Sequence, residues 1–141
     1  EEITASQNGH IWNGFNISIG NPHAVVFVED LNLVGELTDA PIVRPKESYP
    51  EGVNVEFVEF ISDSELKMRV FERGSGETQS CGTGTCAVAL AATLKKNKSL
   101  PAKWVIYPPG GRLEVDIDGH SNATLIGPAE LVKEVDLAKF F

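Results

Sequence analysis

The segment from Phe71 to Lys98, FERGSGETQSCGTGTCAVALAATLKKNK, decides the fold. Residues 65–72, ELKMRVFE, overlap the start of this segment and alternate in the period-two pattern of a strand. This strand should end near Arg73. Good helix formers from Thr85 to Asn97 predict a helix. Between strand and helix, four glycines allow backbone angles that other residues reach only at a cost: Gly74, Gly76, Gly82 and Gly84. The segment therefore predicts a strand, a glycine-rich turn and a helix.

Cys81 stands just before the predicted helix. A thiol at a helix N-terminus has its thiolate favoured by the macrodipole and by nearby N–H groups, which commonly lowers its pKa from about 8.5 to roughly 3.5–7.5. The N–H groups from Gly82 to about Thr85 could also bind a carboxylate or phosphate. Three lysines suit the negative end of the same helix: Lys95, Lys96 and Lys98.

Spacing alone leaves two interpretations of Cys81 open. In the first, Cys81 is a base or nucleophile near neutral pH. In the second, a strand-to-helix turn needs small residues, and Cys81 is a small buried filler. The segment does not predict a nucleotide phosphate loop, because it lacks the GxxxxGK[ST] pattern.

The composition is that of one globular domain. The chain has 141 residues, of which 42% are hydrophobic and 23% charged, and its net charge of −8 argues against nucleic acid or anionic membranes as partners. No apolar run approaches the roughly 18–20 residues that span a bilayer, so we expect a cytoplasmic protein. Two cysteines, Cys81 and Cys86, are too few for a disulfide framework, and we expect Cys86 to be buried packing.

The first third of the chain predicts two strands. The opening EEITASQNG is polar, and we expect it to fray. A turn at Gly20-Asn21-Pro22 precedes a buried strand from Ala24 to Asp30. Before that turn, HIWNGFNISIG predicts a strand that places five residues on one side: Ile11, Asn13, Phe15, Ile17 and Ile19.

The remaining patterns complete an α+β domain. Residues 31–50 are irregular and rich in proline, and they predict a connection with a short helix. A strand from Val53 to Ile61 turns at Ser62-Asp63-Ser64 into the strand before Arg73. After the helix, strands separated by Pro-Pro-Gly-Gly and Asp-Gly-His-Ser turns supply further core candidates: Trp104, Ile106, Leu113, Val115, Ile117 and Leu125.

The polar candidates have ordinary interpretations when they are taken singly. A lone histidine such as His23 is by default a satisfied surface or core residue. Asn54 could be a turn residue, and Glu72 with Arg73 could be an exposed pair worth roughly 0–1 kcal/mol. Two further histidines match no pattern and are expected to be exposed to solvent: His10 and His120.

Four segments together carry a family resemblance. ERGSGETQSCGTGTCA resembles the second catalytic-cysteine motif of the diaminopimelate epimerases, cofactor-independent enzymes of bacterial lysine and peptidoglycan-precursor synthesis. Three other segments resemble the same family in the same order: GNPHAVVFV from Gly20, YPEGVNVEFVE from Tyr49 and IGPAELV from Ile126. The resemblance covers nearly the whole chain.

The resemblance implies a fold and a division of labour. The fold is a curled, mostly antiparallel sheet wrapped around one central helix, which is one half of a two-domain protein. Residues 1–141 would be the C-terminal domain, and an N-terminal domain carrying the other catalytic cysteine would be absent. The resemblance implies that this half is inactive alone, and it leaves a homodimer of the full-length protein open.

The resemblance also implies the reaction and the site. The substrate would be the small amino acid LL-2,6-diaminopimelate, converted to the meso form by two cysteines with no metal or organic cofactor. The catalytic group would comprise Cys81, assisted by His23 and Glu72. Substrate would be bound by the following residues: Asn21, Asn54, Glu72, Arg73, Gly82 and Thr83.

Two other functions stay open from the sequence. One is another two-cysteine racemase of the same fold, such as a proline racemase-like enzyme, although the GNPH and ERGxGET motifs favour diaminopimelate. The other is a non-catalytic module, in which the glycine-rich helix N-terminus binds an anion and Cys81 is inert.

Overall fold

The computed structural model describes residues 2–79, 82–109, 111–127 and 131–141. In these ranges the chain forms one α-helix, α1 (Gly82–Lys95), and eleven strands. The strands are β1 (Glu2–Gln7), β2 (His10–Ser18), β3 (Pro22–Phe27), β4 (Ile42–Arg44), β5 (Asn54–Phe60), β6 (Glu65–Glu72), β7 (Gly76–Thr78), β8 (Ala102–Tyr107), β9 (Leu113–Ile117), β10 (Asn122–Ile126) and β11 (Leu131–Asp136). Short 3-10 helices span Leu31–Val34, Lys46–Ser48 and Ala138–Phe140.

All described strands belong to one sheet. Its order is β11-β10-β9-β8-β6-β5-β3-β2-β1-β4, and β7 forms a hairpin with β6. The pairs β3 with β5 and β6 with β8 are parallel, whereas the other described pairs are antiparallel. The sheet is open, because β4 and β11 stand at its two ends without pairing within the described chain. The expected α+β architecture with a mostly antiparallel sheet is confirmed.

Helix α1 is the centre of the domain. Every residue from Gly84 to Thr93 is buried, and the helix contacts β2, β3 and β5 as well as β8, β9, β10 and β11. A helix that is apolar all round must be covered on all sides, and the curled sheet supplies that cover. The helix begins at Gly82, earlier than the expected Thr85, because packing outweighs the low helix propensity of Gly82 and Gly84. No helix in the described part of the chain is long and apolar enough to cross a membrane.

The sheet buries residues on two faces. Its inner face packs on α1 and includes Ile17, Val25 and Val58. Its outer face carries a second cluster, with Trp12 and Phe57 packed edge to face, under the segment of residues 31–53. Strand β5 is therefore buried on both faces along most of its length, rather than alternating between core and solvent as its sequence suggests.

The expected burial pattern of β2 is wrong at its start. Ile11 is 71% exposed, whereas Trp12 is 6% exposed and belongs to the outer-face cluster. The pattern counted Ile11 with Ile17 on one apolar side, and Ile17 is indeed buried against α1. Apolar alternation alone could not predict that the opposite side would also be covered.

The opening segment is a strand, not a frayed end. Strand β1 lies between β2 and β4, and it buries Ile3 and Ala5. The turn to β2 is Asn8-Gly9, with φ of 52° and 76°. An Asn-Gly pair with both φ angles positive is the turn that best matches the twist of a two-residue hairpin. The polar side chains of β1 obscured this signal.

The other expectations for the fold are mostly confirmed. The residues of the last strands are buried as predicted, except that Leu113 is only half-buried. His10 and His120 are exposed, and Cys86 is buried within α1. Strand β3 begins at Pro22, so that His23 lies inside the strand rather than in the turn before it.

Candidate active site

Two lysines show how α1 is oriented within the sheet. Near the C-terminal end of the helix, the ammonium groups of Lys95 and Lys96 lie 5.2 Å and 4.4 Å from the ring centroids of Phe27 and Phe60. Phe27 ends β3 and Phe60 ends β5, and these two strands run parallel. The opposite ends of both strands, with His23 paired to Asn54, therefore lie toward the N-terminal end of α1.

Several polar candidates share the inner face at this end. Residues two apart in a strand lie on the same face of the sheet. His23 therefore lies on the same face as Val25, which packs on the helix, and Asn54 and Glu56 lie on the same face as Val58. Antiparallel β6 brings Glu72 to the same end on the same face, two residues after Val70. The fold thus collects polar groups from three adjacent strands at the beginning of the helix.

His23 is held at both ring nitrogens. Its Nδ1 lies 2.8 Å from Oε2 of Glu56, and its Nε2 lies 3.0 Å from Oδ1 of Asn21. The side chains of His23 and Glu56 are both 0% exposed. The GNPH motif predicted that Asn21 and His23 belong to one site. The geometry is consistent with that prediction, because the two side chains contact each other directly.

Glu56 is a buried carboxyl with an altered acidity. Burial raises the pKa of Glu56, the contact with His23 opposes that rise, and the charge of Glu72 adds to it. Its second oxygen, Oε1, is buried and has no hydrogen-bond partner among the described residues. Desolvation disfavours the charged form of a carboxyl, so the low-dielectric surroundings favour a proton on or near this group.

Asn54 joins the ends of three strands. Its Nδ2 donates to the carbonyl oxygen of Pro22 at 3.0 Å, and its Oδ1 accepts from the backbone N–H of Arg73 at 2.8 Å. The side chain is buried, so these bonds connect β5 to the start of β3 and to the residue after β6. An amide has one further donor hydrogen and one further lone pair, which leaves capacity for a ligand.

Glu72 lies at the end of β6, beside the glycine turn. Its Oε2 accepts a hydrogen bond from the hydroxyl of Thr78 on β7 at 2.5 Å. The turn between the two strands requires glycine, because Gly74 and Gly76 have φ of 81° and 85°. Gly74 and Gly76 therefore differ in role from Gly82 and Gly84 at the helix start, which do not adopt left-handed angles.

Arg73 is exposed and lies apart from the polar side chains of the inner face. Its guanidinium reaches only the carbonyl oxygen of Glu51, at 3.5 Å, among the described residues. Its aliphatic carbons pack over Gly52, where an added Cβ would lie 3.1 Å from Cδ of Arg73. Arg73 also lines a cavity of about 550 Å³ whose walls include Tyr49, Val55 and Phe71. Val55 belongs to the outer face, so this cavity and the inner-face group are on different sides of the sheet.

The helix start places two more predicted residues. Gly82 and Thr83 are the first residues of α1, with Gly82 exposed and Thr83 half-buried. Cys81, the predicted catalytic residue, lies outside the described residues, as do the central residues of the IGPAELV motif. No group of three His, Cys, Asp or Glu side chains within the described ranges could hold a metal ion.

The sequence interpretation missed Glu56 and Thr78. Both contact predicted residues directly, Glu56 through His23 and Thr78 through Glu72. The sequence did contain a signal for Glu56, which is an acidic residue inside an apolar strand. Such a residue is rarely buried unless another side chain pairs with it, so a partner could have been expected. Nothing local to Thr78 indicated that it would face Glu72, because the hairpin register decides that contact.

Comparison with known proteins identifies the family of this chain. The family model for diaminopimelate epimerase matches residues 15–132. The chain belongs to the diaminopimelate epimerase family. The match includes all the strands and the helix that form the site, from β3 through β10.

Curated family members extend well beyond the matched region. A diaminopimelate epimerase of Geobacillus sp. (strain WCH70) is 44% identical over 116 residues, which are 82% of this chain and 41% of the relative. One of Streptomyces coelicolor is 41% identical over 138 residues, which are 94% of this chain and 48% of the relative. The chain therefore spans about half the length of the curated relatives it matches.

Solved structures support the fold at lower identity. A putative phenazine biosynthesis PhzC/PhzF protein from Clostridium difficile aligns with a TM-score of 0.54 and 20% identity, covering 90% of this chain and 44% of that one. A PhzF-family protein of Enterococcus faecalis aligns with a TM-score of 0.52 and 17% identity, covering 88% of this chain and 42% of that one. At such identities, the likeness concerns the fold alone.

Proposed function

We propose that this chain supplies one catalytic half of a cofactor-independent epimerase that interconverts LL- and meso-2,6-diaminopimelate. Its place would be cytoplasmic lysine and peptidoglycan-precursor synthesis. The chain would be the C-terminal domain, and a separate N-terminal domain would carry the second cysteine. The family match over residues 15–132 supports the choice of reaction.

One observation carries the proposal. Polar groups from β3, β5 and β6 converge at the N-terminal end of α1, which follows Cys81 directly in the sequence. An acid or base placed there would work among a buried histidine, His23, and two carboxyls, Glu56 and Glu72. A carboxyl with a raised pKa, such as Glu56, beside other titratable groups is typical of sites that transfer protons.

The chemistry asks for two opposed proton carriers. The α-proton of an amino acid is weakly acidic, so a positioned base and an electrostatic environment must assist its removal. Cys81 would take or return the proton on one face, and the cysteine of the other domain would act on the opposite face. Inversion follows because the proton leaves one face and a new proton arrives at the other.

The other predicted residues would bind and tune. Arg73 is exposed and lies apart from the inner-face group, so its planar guanidinium would meet the distal carboxylate of the substrate with two parallel hydrogen bonds. Gly82 and Thr83 would hold the reacting carboxylate at the helix start, where the macrodipole favours negative charge. Asn21 and Asn54 would contact the substrate through their amides, and His23 with Glu72 would adjust the protonation of the cysteines.

Deuterium incorporation tests the proposal. We would join the chain to its N-terminal half and incubate the two-domain protein with LL-diaminopimelate in deuterium oxide. We expect meso product with deuterium at the inverted α-carbon, and no turnover by the 141-residue chain alone. Exchange with proline but not with diaminopimelate would indicate a proline racemase-like enzyme instead.

A Cys81→Ser variant of the two-domain protein is the decisive control. Under the proposal, it loses exchange at one face and the epimerisation that depends on it. A Cys86→Ser variant should keep activity, because Cys86 is buried within α1. The chain is a non-catalytic anion-binding module if two results are found. The unaltered two-domain protein binds carboxylates without exchanging protons, and the Cys81→Ser variant binds them equally well.

A further inference from the structure

Glu56 has a position that packing does not explain. It lies in β5 between two neighbouring strands, β3 and β6, and it is completely buried. A buried carboxyl is costly, and an apolar residue of similar volume commonly stabilises a core better. Glu56 nevertheless has one oxygen without a described partner and the other directed at His23. A single contact at this cost indicates a role that depends on His23.

The contacts form a chain of three side chains. Oε2 of Glu56 meets Nδ1 of His23, and Nε2 of the same ring meets Oδ1 of Asn21. A carbonyl oxygen can only accept, so Nε2 must carry a hydrogen. Nδ1 and Oε2, at 2.8 Å, then share one proton between them. Both partners of the imidazole are thereby specified, and the ring cannot rotate without losing them.

This chain of contacts also fixes the amide of Asn21. With Oδ1 held by the imidazole, the two hydrogens on Nδ2 point away from the ring. Asn21 lies in the turn before β3 and is only partly buried, whereas His23 and Glu56 are not exposed at all. The donor group of the amide is therefore the part of this chain of contacts that is closest to solvent.

We propose that Glu56 is a positioning residue, which acts through His23 to present the NH2 group of Asn21 as a hydrogen-bond donor to a carboxylate of the substrate. This inference rests on the proposed function only in the identity of the ligand. His23 would then act on substrate binding through Asn21, in addition to any effect on the cysteines. A ring nitrogen whose partner nitrogen is held by a carboxylate has a fixed tautomer, which is a familiar way to orient a histidine.

Two described titratable groups act on Glu56. They are His23 on β3 and Glu72 on β6. Burial raises the pKa of Glu56, in agreement with a proton held between this carboxyl and the imidazole. The shared proton keeps the pair intact without requiring a fully separated buried charge.

The tautomer of His23 tests the inference without any activity. In the 15N-labelled chain, long-range 1H–15N spectra distinguish a protonated from an unprotonated ring nitrogen. We expect Nε2 of His23 to carry a hydrogen near neutral pH, and the exposed His10 and His120 serve as internal references for the spectra. An unprotonated Nε2 near neutral pH would overturn the inference, because the NH2 group of Asn21 would then face the ring.

Variants test the effect on the ligand. In the two-domain protein, Glu56→Met keeps the volume but removes the contact with Nδ1, so we expect KM for diaminopimelate to rise about tenfold with a smaller change in kcat. Glu56→Gln can still donate to Nδ1 and should restore most of the affinity. The matched control is Glu59→Gln on the same strand, whose side chain contacts the N–H of Leu31 and not His23.

The outcomes separate the inference from the proposed function. An equal loss in Glu56→Gln and Glu56→Met, or a loss confined to kcat, would overturn the positioning role. If the unaltered two-domain protein does not act on diaminopimelate, the proposed function fails, and the tautomer of His23 still decides the role of Glu56.

Discussion

The amide of Asn54 and the backbone of Arg73 are joined by a hydrogen bond of 2.8 Å, from the N–H of Arg73 to Oδ1 of Asn54. The same amide donates to the carbonyl oxygen of Pro22. One side chain therefore positions both Arg73, the residue after β6, and the start of β3, which carries His23. This contact links a proposed substrate-binding arginine to the buried histidine.

Removal of this amide should destabilise the domain. Asn54→Ala leaves the N–H of Arg73 and the carbonyl of Pro22 without their partners, so we expect the free energy of unfolding to fall by about 1–3 kcal/mol. Urea denaturation monitored by tryptophan fluorescence measures this change. The control is Asn13→Ala on exposed β2 surface, which should change stability by less than about 0.5 kcal/mol. Equal effects of the two variants would contradict the bridging role.

The acidity of Glu56 predicts a pH dependence of stability. Because burial raises the pKa of Glu56 above the ordinary 4.5, the folded state binds more protons than the unfolded state above that pH. The contribution of Glu56 is therefore fully present below pH 4.5 and is lost as pH rises through the folded pKa. Glu56→Gln cannot titrate and lacks this loss.

Urea unfolding at a series of pH values checks the sign. We expect the stability difference, wild type minus Glu56→Gln, to decrease as pH rises from about 4.5. The difference would instead increase with pH if Glu56 were ionised and paired with a charged His23, since its pKa would then be lowered. The same titration on Glu59→Gln corrects for general effects of removing an acidic residue from β5.

Arg73 should matter for binding rather than for stability. Its guanidinium contacts only the carbonyl oxygen of Glu51 among the described residues, so Arg73→Lys should change the free energy of unfolding by less than about 0.5 kcal/mol. In the two-domain protein, the same change should lower kcat/KM for diaminopimelate by roughly tenfold to a hundredfold, because lysine cannot make two parallel bonds to a carboxylate.

A second arginine provides the control for that prediction. Arg112 is exposed and contacts Glu114, far in sequence from the site. Arg112→Lys should leave both stability and kcat/KM nearly unchanged. A similar loss of activity in both variants would indicate a general effect of surface charge rather than recognition by Arg73.

Local patterns predicted the elements better than their partners. The strand that ends before Arg73, the hairpin at Ser62-Asp63-Ser64 and the apolar helix all follow from spacing and composition, and the structure contains each of them. These features depend on residues close in sequence. The expected fraying of β1 was wrong because its burial depends on pairing with distant β4 as well as with its neighbour β2.

The buried pair of His23 and Glu56 shows why part of the site could not be predicted. The two residues meet because β3 and β5 pair in parallel, with His23 opposite Asn54. No short motif encodes a parallel register across an intervening connection. Family resemblance could indicate His23 and Asn54 one by one, but the contact between His23 and Glu56 requires the fold.

Thr93 is predicted to support the helix from within the core. Its hydroxyl donates to the carbonyl of Ala89 and accepts from Nε1 of Trp104 at 2.9 Å. Thr93→Val keeps the shape but leaves the indole N–H unpaired, so we expect a loss of about 1–3 kcal/mol in the free energy of unfolding. Thr93→Ser retains the hydroxyl and should lose less, and a loss in Thr93→Val no larger than that in Thr93→Ser would contradict the expected contribution of these hydrogen bonds.

The two cysteines should differ in reactivity on the folded chain. Cys86 is completely buried within α1, so we expect its alkylation to require unfolding. Cys81 precedes the first residue of α1 in sequence, and under the proposed function it reacts in the folded state with a midpoint below about 8.5. Mass spectrometry of each cysteine-containing peptide, as a function of pH, measures both rates in one experiment.

Reaction of Cys81 only on unfolding would contradict its proposed role. Reaction in the folded state at an ordinary midpoint would mean that the helix alone does not lower the pKa of this thiol, and would assign that effect to the proposed second domain.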